Sequence, residues 1–109
     1  MFHMLSCFDL IDGVSIDEFR KYNADFLLHM KEQGLVDSFG AIGKRNKHPV
    51  MDTDNNRDQK FFYIMTFLDE KQCNRAVDCI SSQSEPENTI HQNMIAKTKN
   101  QTFICWEDC

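Results

Sequence analysis

Phe61-Phe62-Tyr63-Ile64-Met65-Thr66-Phe67-Leu68 is a run of eight residues in which Thr66 is the one non-aromatic polar side chain. Its length and its aromatic and β-branched content predict a β-strand with two apolar faces. Antiparallel strands normally alternate, burying one face and wetting the other, so a strand apolar on both faces needs a cover on each side. The chain's own helices can supply one. The other is expected from a second copy, packed sheet to sheet as a homodimer, since an apolar face on the order of a few hundred square ångströms is a liability in water.

Working outward, Asp69 has the chemistry of a helix N-cap, and Cys73, Ala76, Val77 and Ile80 follow at helical spacing until Ser81 to Glu87, with Pro86, ends the helix. Asn88 to Lys97, carrying Ile90, Met94 and Ile95, predicts a short further helix, and Thr102 to Glu107 a last strand. Upstream lies a polar stretch of 17 residues, Gly43 to Gln59, long enough to be either functional or loosely ordered. Before it, Leu35 to Ile42 predicts a strand weakened or bulged by Gly40 and Gly43. Ile16, Phe19, Asn23, Phe26, Leu27 and Met30 form the stripe of the clearest helix, opened by the capping box Ser15-x-x-Glu18 and closed by Gly34. Asn23, its polar member, is placed at the margin of the stripe. Phe2 to Asp9, ahead of the Asp12-Gly13 turn, is the first strand.

Residues 1–109 fit one domain, with 41% hydrophobic and 11% aromatic residues enough for one core. A formal net charge of -5 excludes the usual route to nucleic acid or anionic membrane, which runs through clustered Lys and Arg. Lys44, Arg45 and Lys47 are the nearest approach to a basic cluster and read as a solvated turn. Five cysteines without a CxxC pair argue against a disulfide framework or zinc knuckle and for reduced thiols. The first residues lack the basic and long apolar regions of a secretory signal, and no segment has the length of a membrane span. The expectation is a soluble, cytoplasmic protein with neither nucleic-acid nor membrane partners.

The order strand, helix, strand, strand, helix, short helix, strand is the α+β, ferredoxin-like βαββαβ pattern with an antiparallel sheet. With 109 residues, an N-terminal strand beginning at Phe2 (Phe2-His3-Met4-Leu5-Ser6-Cys7-Phe8), a helix closing on Gly34 and an apolar third strand, the chain resembles the dimeric α+β barrel superfamily. That superfamily includes antibiotic-monooxygenase-like, EthD-like and stress-responsive barrel proteins. The resemblance lies in architecture. It implies two sheets packed face to face into a barrel across a homodimer, with ligands in the cleft between each sheet and its own helices.

No motif specifies a reaction. Asp52-Thr53-Asp54-Asn55-Asn56 imitates the start of an EF-hand loop, but Arg57 stands where Gly must make the turn and Tyr63 where a bidentate Glu must close it. Asx-turns, with Arg57 paired to Asp52, Asp54 or Asp58, account for the same residues. No two of His3, His29, His48 and His91 stand at i, i+4 spacing, so no metal site is expected. Ser6 lacks the strand-to-helix setting of a nucleophile, and phosphate loops and NAD or flavin fingerprints are absent, so no cofactor is expected. His3 needs a partner among its apolar neighbours, for which a structural hydrogen bond is the plainer role. His91 falls on the short helix, near where the superfamily's clefts open.

What remains is nine Phe, six Met, two Tyr and one Trp. Most must be core, yet Phe and Met also line adaptable pockets, and Tyr63 and Trp106 can place a polar tip at a pocket edge. The candidate ligand-binding residues are His3, Phe19, Phe26, Tyr63, Met65, His91 and Trp106, with His3, His91 or Arg45 available to match a carboxylate at the mouth. Strand alternation groups Tyr63 with Phe61, Met65 and Phe67, and Trp106 with Ile104, without deciding which group meets the helices. Two functions fit. One is a dimeric module that binds an apolar or amphipathic molecule, fatty-acid-like or aromatic, without catalysis. The other is a cofactor-independent monooxygenase or isomerase acting on such a molecule through His3, Tyr63, His91 or Trp106.

Overall fold

The computed structural model describes Met1 to Cys109. Its elements follow in the order β1 (Phe2–Leu10), α1 (Ile16–Glu32), β2 (Ser38–Phe39), β3 (Gly43–Lys44), β4 (Phe61–Phe67), α2 (Glu70–Ser81), α3 (Glu87–Ile95) and β5 (Thr98–Glu107). β1 is central, antiparallel to β4 on one side and β5 on the other, while β2 and β3 both pair with the outer edge of β4. This is the ferredoxin-like α+β fold, with β2 and β3 together taking the place of one edge strand.

Local chemistry accounts for the helix ends. Ser15 Oγ accepts the Glu18 backbone N–H at 3.1 Å, and Asp69 Oδ1 accepts that of Gln72 at 2.8 Å. α1 stops where Gly34 takes a φ of +70°. The Gly34 N–H then reaches the Lys31 carbonyl at 3.1 Å and the Leu35 N–H the Met30 carbonyl at 2.8 Å, the paired bonds of a Schellman termination. Leu35 and Met30 are both buried, so the same turn returns the chain to the core.

Two strands depart from the sequence expectation. The strand expected over 35–42 shrinks to β2, with β3 separate. Five residues from Phe39 to Gly43 oppose four from Met65 to Phe62, so one residue bulges between the two pieces. β5 begins at Thr98 instead of Thr102 because β1 pairs with it through Lys99 and Thr98. The register slips by one residue between Cys7 and Asp9, and Asn100, at φ +55°, sits in the extra position.

Phe8, Phe19, Phe26, Leu27, Met30, Tyr63, Met65 and Phe67 belong to one core cluster between sheet and helices. The Tyr63 group on β4 therefore faces the helices. Asn23 is not at the stripe's margin: it is 4% exposed, turned inward on α1. The opposite face carries His3, Leu5, Cys7, Phe62, Ile64, Ile104 and Trp106, and no helix of the chain covers it, which leaves open the side expected to meet a second copy. Ile64 is 39% and Trp106 39% exposed, because a single sheet does not close into a barrel. The molecule measures 42 × 40 × 20 Å, a slab one sheet and one helical layer thick. No helix is long and apolar enough to cross a membrane.

The polar stretch from Gly43 to Gln59 folds over part of that open face and is held by Arg45, not Arg57. Arg45 Nε and Nη2 grip the Asp52 carboxylate at 2.7 and 2.8 Å, while its other donors reach the Asp54 carbonyl at 2.7 Å and the Arg57 carbonyl. Arg57 makes one pair, with Asp54 Oδ2 at 2.5 Å. The solvated-turn reading of Arg45 is thus corrected. Its chain neighbour Lys47 is indeed exposed, on Asp58 at 3.0 Å. Beneath this loop Cys7 is 1% exposed, and burial pushes its thiol up against the pull of Arg57 and Arg45.

Candidate functional site

Between the helix-facing side of the sheet and helices α2 and α3 lies a cavity of about 220 Å³. Thirteen of its 16 lining residues are hydrophobic. β1 contributes Met4 and Ser6, β4 contributes Tyr63, Met65 and Phe67, and α3 supplies His91, Met94 and Ile95. Phe103, 52% exposed, stands on β5 at the rim. Flexible thioethers, Met4, Met30, Met65 and Met94, make up a quarter of the wall, which lets it adapt to an occupant.

Polar groups are few and placed on two walls. Ser6 and Tyr63 are cross-strand partners on β1 and β4, 3% and 6% exposed. Burial pushes the Tyr63 phenol up to about 12, with the nearby Ser6 hydroxyl pulling slightly the other way. The Ser6 hydroxyl nevertheless has no hydrogen-bond partner of normal geometry. On the helical wall His91 packs its ring 5.3 Å from that of Phe26, and desolvation depresses its pKa below the usual imidazole value. Its Nδ1 is buried and unpartnered. One turn back along α3, Glu87 Oε1 lies 3.7 Å from His29 Nε2, linking α3 to α1 behind the cavity. No three His, Cys, Asp or Glu side chains converge closely enough to share a metal ion.

Of the seven candidate residues, Phe26, Tyr63, Met65 and His91 line this cavity. Phe19 is 1% exposed in the adjoining core, its ring edge-on to Phe8 at 4.8 Å. His3 and Trp106 do not reach the cavity, because their strand positions point to the open face. There His3 stacks on Trp106 at 5.1 Å, its Nδ1 pairs with the Thr66 hydroxyl at 3.0 Å, and its Nε2 donates to Asp108 at 2.7 Å. That is the structural hydrogen bonding His3 needed. It also removes His3, along with the loop-bound Arg45, as a counter-charge at the cavity mouth. Sequence reasoning set Ser6 aside for want of a nucleophile's setting, yet alternation with Met4 and Phe8 on β1 already marked it as sharing their face.

No protein-family model matches the chain, and no curated protein matches its sequence. The solved structures it is similar to include that of the Arabidopsis thaliana protein At3g17210, at a TM-score of 0.74 and 9% identity, covering 100% of this chain and 96% of the other. A dimeric ferredoxin-like protein of unknown function from Jannaschia sp. CCS1 aligns at a TM-score of 0.65 and 14% identity, covering 98% of each chain. A dimeric protein of unknown function and ferredoxin-like fold from Bacteroides fragilis NCTC 9343 aligns at 0.57 and 12% identity, covering 98% and 95%. At such identities the likeness establishes the ferredoxin-like fold and nothing finer.

Proposed function

We propose that the protein is a small homodimeric binding module that holds an apolar or amphipathic molecule between its sheet and its helices. The observation carrying this reading is the apolar cavity of about 220 Å³ beside the core. A concave, mostly apolar cleft with a few polar groups among its lining residues is the usual form of a small-molecule site. The homodimer rests on the open sheet face, where Ile64, Ile104 and Trp106 present apolar surface, and on the dimeric state of the Jannaschia and Bacteroides proteins. Five free thiols fit a cytoplasmic location.

A thermal-shift series with small aromatic and short-chain aliphatic compounds tests the reading, since a ligand of the folded state raises the melting temperature as its concentration rises. Native mass spectrometry of the freshly purified protein should show a bound small molecule on a dimer. An unmoved transition across such compounds, with a mass matching the bare chain, would leave a purely structural dimer as the better account.

One observation favours the second reading, a cofactor-independent monooxygenase or isomerase. His91 brings to the cavity wall an unpartnered Nδ1 on a ring whose pKa burial depresses, which suits a proton acceptor at neutral pH. Turnover that disappears in His91→Gln while binding persists would establish it.

A further inference from the structure

We infer that the molecule this cavity accepts is uncharged and carries one hydroxyl or carbonyl oxygen on an otherwise apolar body about the size of a single substituted ring. The inference rests on the cleft reading above and narrows it, against the fatty-acid-like ligand that the composition also allowed.

The absence of charge follows from the walls. None of the 16 lining residues is Lys, Arg, Asp or Glu. A carboxylate in an apolar cavity needs a counter-charge or several donors, because desolvation penalises the ion heavily. The cation the sequence offered, Arg45, lies on the other side of the sheet with its donors committed to Asp52, Asp54 and Arg57. His91, the remaining candidate, is itself kept from protonating by burial.

The oxygen follows from what the walls leave unpaired. Buried polar atoms in folded chains are overwhelmingly hydrogen-bonded, so an unmet one at a cavity points to a partner the cavity is shaped to receive. Two of the lining residues carry such an atom, Ser6 (Oγ) on the sheet and His91 (Nδ1) on α3. Tyr63, kept protonated by burial, adds a phenol beside Ser6. A hydroxyl can donate to an imidazole nitrogen and accept from a serine; a carbonyl can accept from Ser6 or Tyr63. A hydrocarbon satisfies neither wall. A single substituted ring matches the volume, which exceeds the roughly 150 Å³ of an apolar cavity that admits benzene and falls below the roughly 300 Å³ at which drug-sized pockets begin, with the exposed Phe103 rim leaving one side open.

The test is calorimetric titration of the full chain near neutral pH with three probes of one shape: 4-ethylphenol, ethylbenzene and 4-ethylbenzoate. The phenol should bind about tenfold or more tightly than ethylbenzene, and the benzoate should not bind measurably. Ser6→Ala should bring the phenol's advantage over ethylbenzene down to about threefold or less and leave ethylbenzene affinity unchanged. Should that variant lose cooperative unfolding, Ser6→Cys, which keeps the shape at a slightly larger volume and weakens the hydrogen bonding, carries the same comparison. Benzoate binding as tight as the phenol, equal affinities for phenol and ethylbenzene, or a phenol preference that survives both Ser6 substitutions overturns the inference while leaving an apolar cleft intact. Failure of all three probes to bind the folded protein overturns the inference and the cleft reading together.

Discussion

His91 and the aspartates of the open face give the molecule two separate acid sensitivities. A histidine held neutral by burial contributes stability fully above its unfolded value of about 6.5, and that contribution is lost as pH falls through the depressed folded value. Asp52, held low by Arg45, Asp54, held low by the Asn56 backbone N–H, and Asp108, held low by His3, contribute above the unfolded value of about 3.9 and lose that contribution below it. The melting temperature should therefore decline in a first step below about pH 6.5 and a second below about pH 4. His91→Gln should flatten the first step and leave the second, which a thermal melt at each pH will read. Roles at this scale were the least legible in the sequence. Arg57 stands nearer than Arg45 to Asp52 and Asp54 along the chain, and only the folded loop decides that Arg45 makes the fork. His3 and Trp106 carried a readable alternation, but the face that meets the helices depends on packing across the whole sheet.

Among the elements, those governed by near neighbours were readable and those governed by distant partners were not. Ser15, Asp69 and Gly34 mark helix ends through bonds spanning a few residues, and the structure places each where its chemistry requires. Lys99, Asn100 and Gln101 are polar and carry no strand signal of their own, yet they join the sheet or its bulge because β1 supplies partners. Gln59 reinforces that bulge by donating to the Asn100 carbonyl and the Thr102 hydroxyl, both at 2.8 Å, a contact across more than forty residues. Gln72 likewise joins α2 to the Leu68 N–H at 2.7 Å and to the Gly34 carbonyl at 3.0 Å. Gly34→Ala isolates the backbone contribution, since a Cβ there meets nothing within 4 Å. It should destabilise by about 1 kcal/mol through the left-handed φ alone, measured by denaturant unfolding.

For the molecule as a whole, the slab geometry separates two classes of charge substitution on one strand. Met65, 4% exposed, faces the helices, and Met65→Lys should abolish cooperative folding by placing an ammonium in the core, a penalty on the order of several kcal/mol. Ile64, its neighbour, lies on the open face at 39% exposure, so Ile64→Lys should leave the single chain folded. If a second copy covers that face, the same substitution shifts sedimentation from dimer to monomer with an unchanged circular dichroism spectrum. A stable monomer from the unmutated chain at micromolar concentration would remove the sheet-to-sheet assembly. The overall architecture was legible because the strand at 61–68 has no other comfortable place than the middle of a sheet.

The seal over Cys7 has a use as a built-in clock. Cys105 and Cys109 are exposed and should be alkylated by a thiol reagent at once, whereas Cys7 can react only when the Arg45-clamped segment lifts away. Its slow modification rate counts loop openings, and by ratio to the exposed thiols it converts into the fraction of time the segment spends detached. Arg45→Ala should quicken that rate far more than Arg57→Ala, and Lys47→Ala should scarcely change it, with intact-mass spectrometry following each thiol as it is capped.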